Sequence, residues 1–171
     1  MPSPSKAKGN SFERQTADFL TDLYGEKFIR APGSGAYVGG KNTHRKQLLH
    51  EGQIRNFKGD IVPGQSFPKF NAECKSYKDF PFHQLFGGHV KVLDAWIEQC
   101  MDVADPGDFN IIMMKFNRKG TYIAFDLTES TQNLTTVRCL NYGSKKHGHW
   151  IIMDHDTFWD LNAAAVKELC K

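Results

Sequence analysis

No stretch of this 171-residue chain approaches the roughly 20 consecutive apolar residues that a membrane-crossing helix needs. The first nine residues (MPSPSKAKG) lack the apolar core of an export signal, so a cytoplasmic location is expected. Cysteine is sparse. Cys74, Cys100, Cys139 and Cys170 are scattered with no C-x-x-C pair, which argues for reduced core thiols and against a disulfide or thiolate-zinc framework. No internal repeat is present. What the chain does hold is ordinary core material, with 40% hydrophobic residues, 24% charged residues and 13 Phe, which excludes a disordered or fibrous chain. Acidic charge is scarce at one end. Residues 1–58 carry 10 Lys and Arg against 5 Asp and Glu, whereas the remainder carries 12 against 14. A basic N-terminal third suits a polyanionic partner, because its cations would release counterions condensed on phosphates, although a solvated charged surface would read the same way.

The pattern along the chain predicts one α/β domain, a mixed sheet flanked by helices, over residues 10–171 behind a flexible tail at 1–9. Asn10 suits the cap of a helix running to about Tyr24. A short strand at 28–30 leads into the turn Ala31-Pro32-Gly33-Ser34-Gly35. Strands are expected at 57–62 and 69–75, paired as a hairpin through the turn at 63–68. A long helix should follow from Phe82 to Val103, with Leu85, Phe86, His89, Val92, Leu93, Trp96, Ile97 and Cys100 on its buried stripe, weakened early by Gly87-Gly88. Residues 109–116 read as an inner strand, 122–127 as its partner, 136–140 with 149–153 as a further pair, and 156–169 as a closing helix.

The chemistry concentrates in D-x12-E-x-K: Asp60 on one strand, Glu73 and Lys75 on the next. Strand alternation puts Glu73 and Lys75 on one face. Two carboxylates and an ammonium gathered there are costly unless a cation neutralises them. Mg²⁺ typically binds through one or two carboxylates and keeps water and phosphate as its other ligands. Lys75 beside such an ion could orient or deprotonate water, which is phosphodiester-hydrolysis chemistry. Glu73-Cys74-Lys75 is the only acidic-x-Lys triplet in the chain. A solvated ion pair on a strand edge is the plain alternative.

These residues resemble the PD-(D/E)XK nucleases, and several features are similar to the Holliday junction resolvases among them. Glu13 in the first helix matches an acidic position of the archaeal Hjc type. Arg30-x-Pro32-x-Ser34 resembles the segment before the catalytic strands, with Ser34 in the place of an active-site serine. Phe80-Pro81-Phe82-His83-Gln84 and the helix after it are similar to the bacterial RecU type, with Gln84 a possible site-orienting residue. Gly59 stands where some members carry Pro or Thr. The resemblance runs from about Gly9 to Leu127. It implies a restriction-endonuclease-like core and a Mg²⁺-dependent endodeoxyribonuclease, with Mn²⁺ able to substitute. Asp60 and Glu73, with the carbonyl of Cys74, would be metal ligands. Lys75 would handle the water, and Glu13 and Ser34 would assist. Branched DNA, four-way junctions in particular, would be the substrate of a homodimer acting in recombination and repair, in a bacterial cell or a virus's host.

A basic insertion at about 37–58 occupies the place of the resolvase stalk. Lys41, Arg45, Lys46, Arg55 and Lys58, with Arg30 before them, are its candidate nucleic-acid contacts. Other readings stay open. Restriction sites or flaps could be the substrate, or the domain could bind DNA without cutting it. Glu13 also suits a capping box behind Asn10. Lys115 interrupts an apolar strand and either reaches the site or carries its ammonium out at the edge. The helix around Leu93, Trp96 and Ile97 offers apolar surface to a dimer partner. His147-Gly148-His149 near His155 is a weak zinc pattern.

Overall fold

A computed structural model describes residues 4–32 and 58–171, with side chains from Gly9 onward. Ser34, Lys41, Arg45, Lys46, Arg55 and the insertion up to Phe57 lie outside the described residues. The elements are α1 (Pro4–Tyr24), β1 (Ile29–Arg30), β2 (Ile61–Val62), β3 (Phe70–Tyr77), a 3₁₀ helix (Phe82–Phe86), α2 (Lys91–Met101), β4 (Phe109–Phe116), β5 (Gly120–Asp126), β6 (Leu140–Gly143), β7 (His149–Asp154) and α3 (His155–Leu169). Five strands form a mixed sheet in the order β3-β4-β5-β7-β6, with only β3 and β4 parallel. This is the expected α/β architecture, consistent with a restriction-endonuclease-like core. Among the described residues no helix is long and apolar enough to cross a membrane.

Strand alternation divides the core in two. Phe70, Ala72, Cys74, Ile111, Met113, Ile123 and Phe125 face α1 and α3, whereas Ile112, Met114, Phe116, Ala124 and Trp150 face α2. β4 is apolar on both faces because both are covered, and only Lys115 escapes full burial. α3 starts where Asp154 accepts the Thr157 amide at 2.9 Å, a side-chain cap on an otherwise orphan donor. The Cys170 carbonyl at its far end takes the Lys69 amide at 3.1 Å and so ties α3 to the start of β3.

Several boundaries differ from expectation. α1 begins at Pro4, a residue suited to a first turn, so Asn10 lies inside the helix and is no cap. Its carboxamide instead accepts from Arg30 Nη2 at 2.9 Å, and the capping-box reading of Glu13 falls with it. The long helix is two elements, because Gly87-Gly88 breaks it and Gly88 takes φ +136°. Phe86, expected inside, is 79% exposed. Leu93, Trp96 and Ile97 are spent on the sheet and the aromatic cluster of Tyr77, Phe80 and Phe116, which leaves them nothing to offer a dimer partner. β2 pairs with β1 and not with β3. The strand expected at 136–140 begins at Leu140.

Candidate active site

β3 is an edge strand, and the site is built on its open side. Gly59 and Asp60 lie along that edge: the Asp60 amide donates to the Ala72 carbonyl at 2.8 Å, and Asp60 Oδ2 accepts the Cys74 amide at 2.8 Å. Asp60 also offers its own carbonyl to the Ala31 amide at 2.9 Å. So close an approach requires glycine at 59. Its φ is +65°, and a Cβ there would sit 2.5 Å from the Ala72 carbonyl oxygen. The departure from Pro or Thr at this place is therefore the local condition for bringing Asp60 onto β3.

Glu73 and Lys75 project from β3 toward α2. Lys75 Nζ donates to Glu73 Oε2 at 2.7 Å and to Gln99 Oε1 of α2 at 2.8 Å. Glu73 is fully buried, and its Oε1 has no hydrogen-bond partner. Burial, and then the Asp60 charge beside it, push the Glu73 carboxyl up to about 8 even though Lys75 opposes the shift. For Lys75 burial pulls the other way, but the Glu73 and Asp60 charges outweigh it and raise the ammonium above its ordinary value. Asp60, Glu73 and Lys75 thus stand together as the spacing predicts, although the hairpin expected to join them is absent.

Glu13 approaches from the α1 side. It is buried and ion-paired to Arg30, so two more candidates meet each other within one arm of the site. The charges of Asp60, Glu73 and Glu13 all raise the Cys74 thiol, after the larger effect of its burial. Gln84 lies exposed on the 3₁₀ helix and its side chain makes no hydrogen bond among the described residues. The amide that meets the triad is that of Gln99. Sequence reasoning passed over it because it flanks the apolar stripe of α2, and only the docking of that helix shows which flank faces β3.

Lys58, a candidate DNA contact, is turned inward. It pairs with Asp108 and, at 3.0 Å, with Asp105, and its side chain is only 8% exposed. Lys115 shares the α1 face with Ile111 and Met113, away from Glu73 and Lys75. Among the described residues no three His, Cys, Asp or Glu side chains converge as a metal site. His149 bonds Asn141 at 2.8 Å, while His155 bonds Asp156 at 2.7 Å.

The site thus gathers two acids and a lysine at the edge of a mixed α/β sheet. A family model described as "phage putative PDDEXK endonuclease" matches residues 4–167, and the chain belongs to that family. Protein D14 of Escherichia phage T5 is similar, 35% identical over 104 residues that cover 58% of this chain and 56% of that protein. The chain thus spans about half the length of the curated relative it matches. No solved structure matches.

Proposed function

We propose that this chain is a Mg²⁺-dependent DNA endonuclease that resolves four-way junctions as a homodimer. The carrying observation is the site itself: Asp60, Glu73 and Lys75 meet at an open sheet edge, and Glu73 Oε1 is buried without a partner. That set fits a divalent cation. An orphan carboxylate oxygen beside a second carboxylate offers the hard donors that Mg²⁺ or Mn²⁺ takes, and an ion would relieve the repulsion between them. Asp60 and Glu73 would hold it, with the Cys74 carbonyl between them a further donor. When bound, it supplies neutralisation of phosphate charge and acidification of water.

The chain's own residues do the rest. Lys75, held as an ammonium by Glu73 and Gln99, has its third N–H to orient the attacking water or to steady charge on the phosphate. Glu13 and Arg30 border the same edge, and Ser34 follows them in the chain. Junction specificity rests on the basic segment 37–58, and dimerisation on the need for two symmetric cuts from chains bearing one site each.

The test is cleavage of matched synthetic four-way junction, flap and linear duplex, with Mg²⁺, with Mn²⁺ and with EDTA, alongside light scattering. Paired, metal-dependent nicks in the junction from a dimer are expected. Equal cutting of flap or duplex would leave a nuclease and remove the junction. Binding without cleavage would remove the nuclease. A monomer with and without DNA would remove the dimer.

A further inference from the structure

The one position of β4 that is not fully buried is a cation. Lys115 Nζ donates to Gln15 Oε1 at 2.9 Å and stands 5.7 Å from the centre of the Phe12 ring. Among the described residues no carboxylate pairs with it, nor with Lys27, Lys69, Lys78, Lys91, Lys145 or Lys167, whereas Lys58, Lys75, Lys119, Lys146 and Lys171 each have one. It lines an open concavity of about 190 Å³ together with Ser11, Phe12, Gln15, Ser76 and Asn117. Gln15 serves both sides of it, accepting from Lys115 and donating to Ser11 Oγ at 3.4 Å. The Ser11 and Ser76 hydroxyls, the Asn117 amide and two remaining Lys115 N–H groups are left as donors around one charge. A fixed cation among donors, with no acid, lacks an anion.

We infer that this concavity is a phosphate subsite, and that its occupant is a phosphodiester of the DNA strand being cut, one flanking the scissile position. The assignment rests on the nuclease reading above. Its ground is placement: Ser76 directly follows Lys75 and is the register partner of Lys115, while Ser11, Phe12 and Gln15 come from α1, the helix that also carries Glu13. Lys75 and Lys115 face opposite sides of the sheet. Asp60 occupies the outer edge of β3 only along Ala72 and Cys74, and among the described residues no strand pairs beyond it. A DNA strand crossing that edge with its scissile phosphate at the Asp60 and Glu73 carboxylates would present a neighbouring phosphate to Lys115.

The test is binding of labelled duplex and junction by full-length protein in EDTA, as a function of salt. One lost phosphate contact lowers the slope of log K against log salt by about 0.9, which is roughly a tenfold loss at 0.1 M. Lys115→Gln is expected to show both losses on duplex and junction alike, Lys115→Arg neither, and Ser76→Ala a smaller loss without a change of slope. Lys146→Gln, at the far edge of the sheet and paired with Glu98 at 2.5 Å, is the unchanged control. If Lys115→Gln keeps wild-type affinity and slope, the subsite is refuted. If that variant loses only thermal stabilisation by inorganic phosphate, the concavity takes the free ion and the DNA assignment is refuted. If wild-type protein neither binds nor cuts any of the DNAs, the nuclease reading itself fails.

Discussion

A lysine whose pKa is raised is an ammonium throughout the neutral range, and this decides what Lys75 can do. The charges of Glu73 and Asp60 outweigh the effect of its burial, so it holds its proton and acts as a donor and a positive charge, not as a base. Of the two roles open to it from sequence, orienting or deprotonating water, its held proton and its two hydrogen bonds support orientation. Two of its three N–H groups are committed, to Glu73 at 2.7 Å and to Gln99 at 2.8 Å, and these two acceptors fix where the third points. Gln99 is therefore a positioning residue. Gln99→Ala should lower kcat roughly 10- to 100-fold, the usual cost of losing a group that orients a catalytic one. KM and thermal midpoint should hardly move, because the Gln99 side chain is exposed and fills no core space. Lys75→Ala should abolish cleavage while DNA affinity is kept. Single-turnover rates and equilibrium binding check both, and a Gln99→Ala enzyme of wild-type rate would mean that Glu73 alone orients the ammonium.

At the scale of elements, the short segment 58–62 carries Asp60 and is held from every side. Lys58 enters the loop between α2 and β4, Gly59 lies against Ala72, Asp60 bonds β3, and β2 pairs with β1. Burial raises the Asp108 carboxyl, and the Lys58 ammonium counters that shift. Removing the ammonium strands a charge that is 4% exposed. Lys58→Ala should therefore cost about 3 kcal/mol of stability, and the added change Asp108→Leu should recover most of it. A mere DNA contact would weaken binding and leave the urea midpoint unchanged, so denaturation separates the two roles. The same segment shows why sequence pattern goes only part of the way. A 12-residue interval between Asp60 and Glu73 suits a hairpin, but Phe67 in the intervening turn is drawn into the core with no exposure, and the β2 hydrogen bonds go to β1. Spacing therefore anticipated that the two carboxylates meet, but through the wrong pairing. β4 was legible because eight apolar-rich residues covered on both faces leave no ambiguity of period. Gln99 and the inward turn of Lys58 depend on which faces meet, and no local pattern encodes that.

For the whole molecule, the acids of the α2 face make the metal-free protein respond to pH in one direction. Glu73 is raised to about 8, chiefly by burial and then by Asp60. Burial also raises Asp108 and Asp126. A carboxyl whose folded pKa exceeds its unfolded value contributes stability that is complete below the unfolded value and is lost as pH rises through the folded one. For Glu73 that window runs from about 4.5 to about 8. The lowered carboxyls, Glu26, Asp79, Glu98 and Asp154, work in the opposite sense but only below their ordinary values, outside this window. The raised Lys75 loses its contribution only above 10.5. Stability in EDTA should thus fall between pH 5 and pH 8, by about 2–4 °C of thermal midpoint for each kcal/mol lost. Glu73→Gln, which cannot ionise, should flatten the fall. A divalent cation held by Asp60 and Glu73 must displace the Glu73 proton, so it should stabilise more at pH 8 than at pH 6 and release close to one proton per site at the lower value. Thermal scans in EDTA and in Mg²⁺, with calorimetry in two buffers of different ionisation enthalpy, measure both quantities. Metal uptake without proton release at pH 6 would mean that Glu73 is already ionised there, and its buried, unpartnered oxygen would then have to be explained by something other than a proton.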